Sequence, residues 1–188
     1  MVVRTPIRRP VVDAFTSDRF RYVMGHVPTG VAVVTATTRQ GPVGLTVGSF
    51  VSVSLDPPLV GFLPARTSTT WPLIVPVGAF CVNVLGEEHE DLCRGFARSG
   101  GSKFDGVDWT PAAATGAPII SGALAWFDCL FERSHPAGDH LFVLGRVLEL
   151  DVRAQGRPLV FCHGRYQRLA ADAPTPTTAS SGGQLPCV

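Results

Sequence analysis

The residues best placed to do chemistry fall in two stretches. The first, Gly44-Leu45-Thr46-Val47-Gly48-Ser49-Phe50-Val51-Ser52-Val53-Ser54-Leu55, is a strand-like run studded with hydroxyls. A strand's period of two puts Thr46, Gly48, Phe50, Ser52 and Ser54 on one face and Leu45, Val47, Ser49, Val51 and Val53 on the other. A face of small donors and acceptors lets a planar, polar ligand lie close to the backbone, and Gly48 permits the closest approach or a bulge. The same spacing also fits the solvated outer face of an antiparallel strand. The second stretch, Pro64-Ala65-Arg66-Thr67-Ser68-Thr69-Thr70-Trp71-Pro72, sets one fixed positive charge and four hydroxyls ahead of a short helix. Thr70 can cap that helix and Pro72 suits its first turn. Free N–H groups there, beside Arg66, form an anion site suited to a phosphate ester. The alternative is an ordinary capped turn with an exposed arginine.

Other chemistries lose their usual support. The chain has no G-x-G-x-x-G, no G-x-x-x-x-G-K-[ST], no H-E-x-x-H and no G-x-S-x-G, so Rossmann, P-loop, zinc-hydrolase and serine-hydrolase readings lack their motifs. The histidines His26, His89, His135, His140 and His163 are dispersed, and no metal is expected. The cysteines Cys81, Cys93, Cys129, Cys162 and Cys187 stand at least twelve residues apart without a C-x-x-C pair, as small buried hydrophobes would.

The elements that must position these residues belong to one domain. The chain has 188 residues, 45% hydrophobic and 16% charged, with a formal charge of +1. Such a length buries about 70% of the unfolded chain's surface without disulfides or metals. Scattered basic residues give no footprint for nucleic acid. No apolar run reaches the ~18 residues of a membrane span, and no apolar segment follows the arginines of Met1–Pro10, so a soluble, cytoplasmic protein is expected. Residues 1–14 read as a flexible arm, 15–170 as the folded domain and 171–188, rich in Pro, Thr, Ser and Gly, as a disordered tail.

Within the domain, Ser17 or Asp18 can cap a helix in which Phe20, Val23, Met24 and Val27 share a face, closed by Pro28. Strands are predicted at 31–38, 45–55, 58–65, 79–85, 123–133 and 140–150, and in the PLVFC and RYQRL runs near the end. Short helices fit 70–75 and 88–98. Many strands with short helical inserts predict a mainly β, closed β-barrel domain rather than a doubly wound sheet.

In order along residues 15–169, the chain resembles the flavin reductase-like family. The matching pieces are Phe20-Arg21, Pro28-Thr29-Gly30-Val31, Thr46 to Phe50 with Ser52 to Leu59, Phe80 to Leu85, Gly95-Phe96, Lys103-Phe104, Gly138-Asp139-His140, Gly145-Arg146-Val147 and Pro158 to Phe161. The resemblance implies a split β-barrel, an FMN-binding Greek-key barrel with short peripheral helices, assembled as a homodimer. It implies FMN or FAD as the flavin, NADH or NADPH as co-substrate, and a separate flavin-dependent monooxygenase as partner. By position it assigns the flavin to Thr46, Val47, Gly48, Ser49, Phe50, Leu63, Pro64, Ala65, Arg66, Ser68, Thr69, Thr70, Gly95 and Phe96. It assigns the nicotinamide to His140, Phe161, Cys162, His163 and Gly164. Hydride transfer is borne by the cofactors, so no catalytic side chain is expected, and the hydroxyls of Thr46 and Ser49 are expected to stabilise reduced flavin. Period two also fits His140 as a histidine capping a core face. Two other functions remain open: a non-enzymatic flavin- or haem-binding split-barrel protein, and a flavin oxidase acting on a phosphorylated amine.

Overall fold

The computed structural model describes residues 15–153 and 155–169. The expected arm at 1–14 and tail at 171–188 lie outside the described residues. The chain forms α1 (Ser17–Met24), β1 (Thr29–Gly30), β2 (Ala32–Thr38), β3 (Gly41–Val47), β4 (Val51–Leu55), β5 (Pro58–Phe62), α2 (Trp71–Ile74) and β6 (Ala79–Val84). There follow α3 (Glu90–Ala97), β7 (Trp109–Pro111), β8 (Pro118–Ile120), β9 (Ala125–Ala137), β10 (His140–Val152), β11 (Val160–Cys162) and β12 (Arg165–Gln167).

The main sheet runs β3-β2-β6-β9-β10-β5-β4, with every neighbouring pair antiparallel. Although β3 and β4 are consecutive in the chain, they form opposite edges of this sheet. The ladder is therefore open between them, not closed as the strand pattern alone predicts, and the mainly β fold is a barrel split along that line.

β2 explains how the sheet is buried. Every residue from Val31 to Ala36 is buried. Ala32, Val34 and Ala36 face a core with Phe62, Trp71, Phe80 and Val143. Val31 and Val33 face a second core under α3 with Leu85, Cys93, Phe96 and Leu159. Burial on both faces is why the strand reads as a continuous run of alanine and β-branched residues rather than an alternating one. In the outer layer, the buried Asn83 amide donates to Val33 O, Thr35 Oγ1 and Pro118 O while its Oδ1 accepts from Ile120 N at 2.8 Å. These bonds fasten the β7–β8 ribbon, which the sequence reading missed.

Three further expectations are corrected. The predicted 45–55 strand is two strands, because the chain turns at Gly48-Ser49-Phe50 to pass from one sheet edge to the other. The face proposed to run from Thr46 to Ser54 is therefore broken. α1 is capped by Thr16, whose Oγ1 accepts from Arg19 N at 3.2 Å, and not by Ser17 or Asp18. Its periodic Phe20, Val23 and Met24, with the following Val27, are exposed rather than packed into the core.

Candidate functional site

A cavity of about 720 Å³ opens where β3 and β5 end and β10 begins. Of the residues assigned to flavin, Thr46, Val47, Gly48, Ser49, Leu63, Pro64, Ala65, Ser68, Thr69, Thr70 and Phe96 line it. Phe50 instead turns towards the main core, its ring 5.2 Å from Phe127. Gly95 lies on α3, and Arg66 is exposed; neither is among the lining residues.

Local bonding decides which groups remain available. Ser49 Oγ accepts the Leu63 N–H at 2.8 Å, tying the turn after β3 to the end of β5. Ser68 Oγ accepts from Trp71 N at 3.1 Å and Thr70 N at 3.3 Å. Both hydroxyls act here as acceptors, which leaves each O–H proton to be donated into the cavity. Thr46 differs, since its hydroxyl donates to Cys93 O at 2.9 Å. The expectation that Thr46 and Ser49 act alike is thus corrected: Thr46 is spent on anchoring α3, and Ser49 keeps a donor.

The segment before α2 is corrected too. Thr70 makes no side-chain cap, and α2 has only four residues. Ser68 satisfies the backbone donors at its start, so the helix N-terminus is not an anion site. Positive charge comes instead from Lys103 and Arg98, both of which line the cavity. Lys103 Nζ donates to Gly44 O at 3.1 Å, Phe96 O at 3.0 Å and Thr70 Oγ1 at 3.2 Å. One ammonium therefore pins β3, α3 and the segment before α2, and burial lowers its pKa. Among the described residues neither Lys103 nor Arg98 enters an ion pair. Gly44 is needed under this arrangement, because a Cβ there would stand 2.6 Å from the Phe96 ring.

His140 also lines this cavity. The β9–β10 hairpin turns through Gly138, at φ +64°, and Asp139. The turn is stitched to the 64–66 segment by Leu141 N to Pro64 O at 3.0 Å and Arg66 N to Asp139 O at 2.9 Å. Asp139 Oδ1 holds His140 Nδ1 at 2.8 Å, and this bond lowers the Asp139 pKa. His140 thus stands at the rim, half-exposed.

Phe161, Cys162, His163 and Gly164 lie apart from His140. They form the β11–β12 hairpin, whose turn residues His163 and Gly164 are left-handed at φ 52° and 73°. His163 N donates to Gly25 O, docking the hairpin on the end of α1. Phe161, Cys162 and Gly164 line a shallow depression with Arg21, Met24 and Thr29. Phe161 also borders a small cavity of about 170 Å³ lined by Thr46, Gly48 and Tyr166. Thr46 and Gly48 are shared with the main cavity, so the hairpin adjoins it beside these two residues.

The cavity's chemistry fits a ring-bearing phosphate ester. Its wall combines Leu45, Val47 and Phe96 with free O–H donors, and Lys103 and Arg98 supply charge. The nearby Cys93 thiol, 2.9 Å from Tyr166 Oη, has its pKa raised by burial and is not poised as a thiolate. Among the described residues no group of three or more metal-ligating side chains gathers, and no helix is long and apolar enough to cross a membrane.

The chain is similar to several known proteins. The model of the flavin reductase like domain matches residues 24–170. A flavin reductase of Pseudomonas putida is 47% identical over 162 residues, covering 86% of this chain and 95% of that one. The reductase subunit HsaB of a flavin-dependent monooxygenase from Rhodococcus jostii is 42% identical, covering 87% of this chain and 84% of that one. The solved structure of the NADH:FAD oxidoreductase SgcE6 from Streptomyces globisporus C-1027, in complex with NAD and FAD fragments, superposes with a TM-score of 0.78. It shares 37% identity and covers 84% of this chain and 94% of that one.

Proposed function

The chain belongs to the flavin reductase-like family, and from that premise we propose that it is an NAD(P)H:flavin oxidoreductase. It passes a hydride from NADH or NADPH to FMN or FAD and releases reduced flavin to a separate flavin-dependent monooxygenase. The observation that carries this reading is the convergence of 45–49, 63–70, Phe96 and His140, distant in sequence, on one cavity.

When bound, the nicotinamide and flavin supply the hydride chemistry themselves, so the chain needs to hold, orient and shield. Leu45, Val47 and Phe96 provide apolar wall for the ring. Ser49 and Ser68 direct O–H donors at its polar atoms or at the phosphate. Lys103 and Arg98 offset the phosphate charge, and because burial strips water from Lys103 its charge acts at lower screening. Gly48 keeps the wall beside Thr29 thin, since a Cβ there would stand 3.0 Å from Thr29 Oγ1. His140 on one rim and the Phe161–Gly164 hairpin beside Gly48 flank the path by which the nicotinamide reaches the ring. No side chain serves as an obligate acid.

The relatives, a flavin reductase, a monooxygenase reductase subunit and an NADH:FAD oxidoreductase, support this reading over a non-enzymatic binder. The protein is further proposed to act as a cytoplasmic homodimer. Support comes from the exposed apolar faces of α1 (Phe20, Val23, Met24) and β4 (Val51, Val53, Leu55), which a second copy would bury. Light scattering that returns only a 20.0 kDa species at micromolar concentration would refute the dimer. The activity is tested by following the nicotinamide absorbance band with FMN and with FAD added.

A further inference from the structure

A second cavity, of about 640 Å³, adjoins the first, and Thr69, Thr70 and Lys103 line both. β3 runs beneath the pair: Pro42, Val43 and Gly44 line the second cavity, and Leu45, Thr46 and Val47 line the first. From Gly41 to Val47 the strand extends for roughly 20 Å at about 3.3 Å per residue. A mononucleotide whose ring lies by Gly48 and whose phosphate meets Lys103 fills only the first cavity. A second nucleotide unit joined through that phosphate would continue along β3 into the other.

The chemistry at the junction and beyond it suits such a unit. At the junction Lys103 is bonded to Gly44 O and Thr70 Oγ1. Its charge has no carboxylate partner among the described residues. With Arg98 on the first cavity's lining there are two cations, which match the two negative charges that a diphosphate diester carries. Thr70, which accepts from Lys103, keeps its own O–H for a phosphate oxygen. Beyond the junction the half-exposed Trp109 ring packs edge-on against Phe104, with centroids 6.1 Å apart. Leu73 of α2 contributes an apolar surface that is 47% exposed, and Gln40 and Asp105 supply polar groups. An aromatic face, an aliphatic contact and edge-reading polar groups are what a purine ring requires.

We propose that the flavin this enzyme takes is the dinucleotide FAD, with its diphosphate over Lys103 and its adenosine in the second cavity. The proposal rests on the reductase reading and names the substrate of that same site.

Fluorescence titration of the full-length protein with FAD and with FMN tests it, using wild type, Trp109→Ala and Leu73→Glu. Leu73 is at the surface, so its variant reports on the cavity even if removal of Trp109 disturbs the β7–β8 ribbon. FAD is expected to bind wild type roughly tenfold more tightly than FMN, and each variant to cut that ratio by roughly fivefold. Equal wild-type affinities, or a ratio unmoved in both variants, would overturn the assignment. NADH-dependent reduction is measured alongside. FMN reduced normally with no FAD preference removes the dinucleotide assignment alone, whereas reduction of neither flavin removes the reductase reading and the assignment with it.

Discussion

Ser49 Oγ accepts the backbone N–H of Leu63 at 2.8 Å, bridging the line along which the barrel is split. No ladder joins β3 to β4, so this side chain does there what a strand pair does elsewhere. It holds the two segments that wall the cavity at a fixed separation. Ser49→Ala leaves the Leu63 N–H unpaired in a half-buried position and should destabilise the fold by about 1–3 kcal/mol. Flavin affinity should fall as well, while Ser49→Thr restores part of both. Urea unfolding with flavin titration checks this; an Ala variant matching wild type in both would remove Ser49 from the site.

Lys103 joins three elements through one ammonium, so Lys103→Met should raise the flavin KM strongly. Its effect on turnover at saturating flavin should stay within roughly threefold, because the phosphate is remote from the reacting ring. Loss of the bonds to Gly44, Phe96 and Thr70 should also cost about 1.5–3 kcal/mol of stability. Burial lowers the Lys103 pKa, so the ammonium loses its proton at lower pH than an exposed lysine does. Wild-type flavin affinity should accordingly weaken as pH rises through the alkaline range, and the Met variant should lose that dependence. A flat wild-type profile would contradict the role.

His140 stands at the cavity rim, held by Asp139 Oδ1. His140→Ala should raise the KM for the nicotinamide or slow hydride transfer, with flavin affinity changed by no more than roughly threefold. Stopped-flow reduction over a range of NADH and NADPH separates the cases. A variant that binds flavin poorly yet reduces it normally once saturated would put His140 on the flavin instead.

Local pattern made much of the fold legible. The apolar run at Val31–Ala36 announces a strand buried on both faces, and Phe80 to Leu85 another. Long-range pairings stayed hidden. The hydroxyls of 45–55 read as one face because nothing local shows that Gly48-Ser49-Phe50 carries the chain between opposite sheet edges. Lys103 shows no local sign of its role, since its partners Gly44 and Thr70 lie 59 and 33 residues away. The β7–β8 ribbon is masked by Pro111 and Pro118, which weaken its strand signal. His140 joins the 64–66 segment through an isolated bridge to Ala65 that no periodicity predicts. The resemblance to the family supplied eleven of the cavity's lining residues as flavin contacts but also Phe50, Arg66 and Gly95, which lie off it, and it missed the cations Arg98 and Lys103.

The proposed reaction is hydride transfer from a nicotinamide to a flavin held in the cavity of Ser49, Ser68, Lys103 and Phe96. Anaerobic mixing of the purified full-length chain with NADH or NADPH and FMN or FAD tests it most directly, following the flavin and nicotinamide bands together. The flavin band should bleach as the nicotinamide band falls by an equal amount, over many turnovers per chain. Nicotinamide consumption no faster than in the protein-free mixture, with every pairing of the two cofactors, would contradict it.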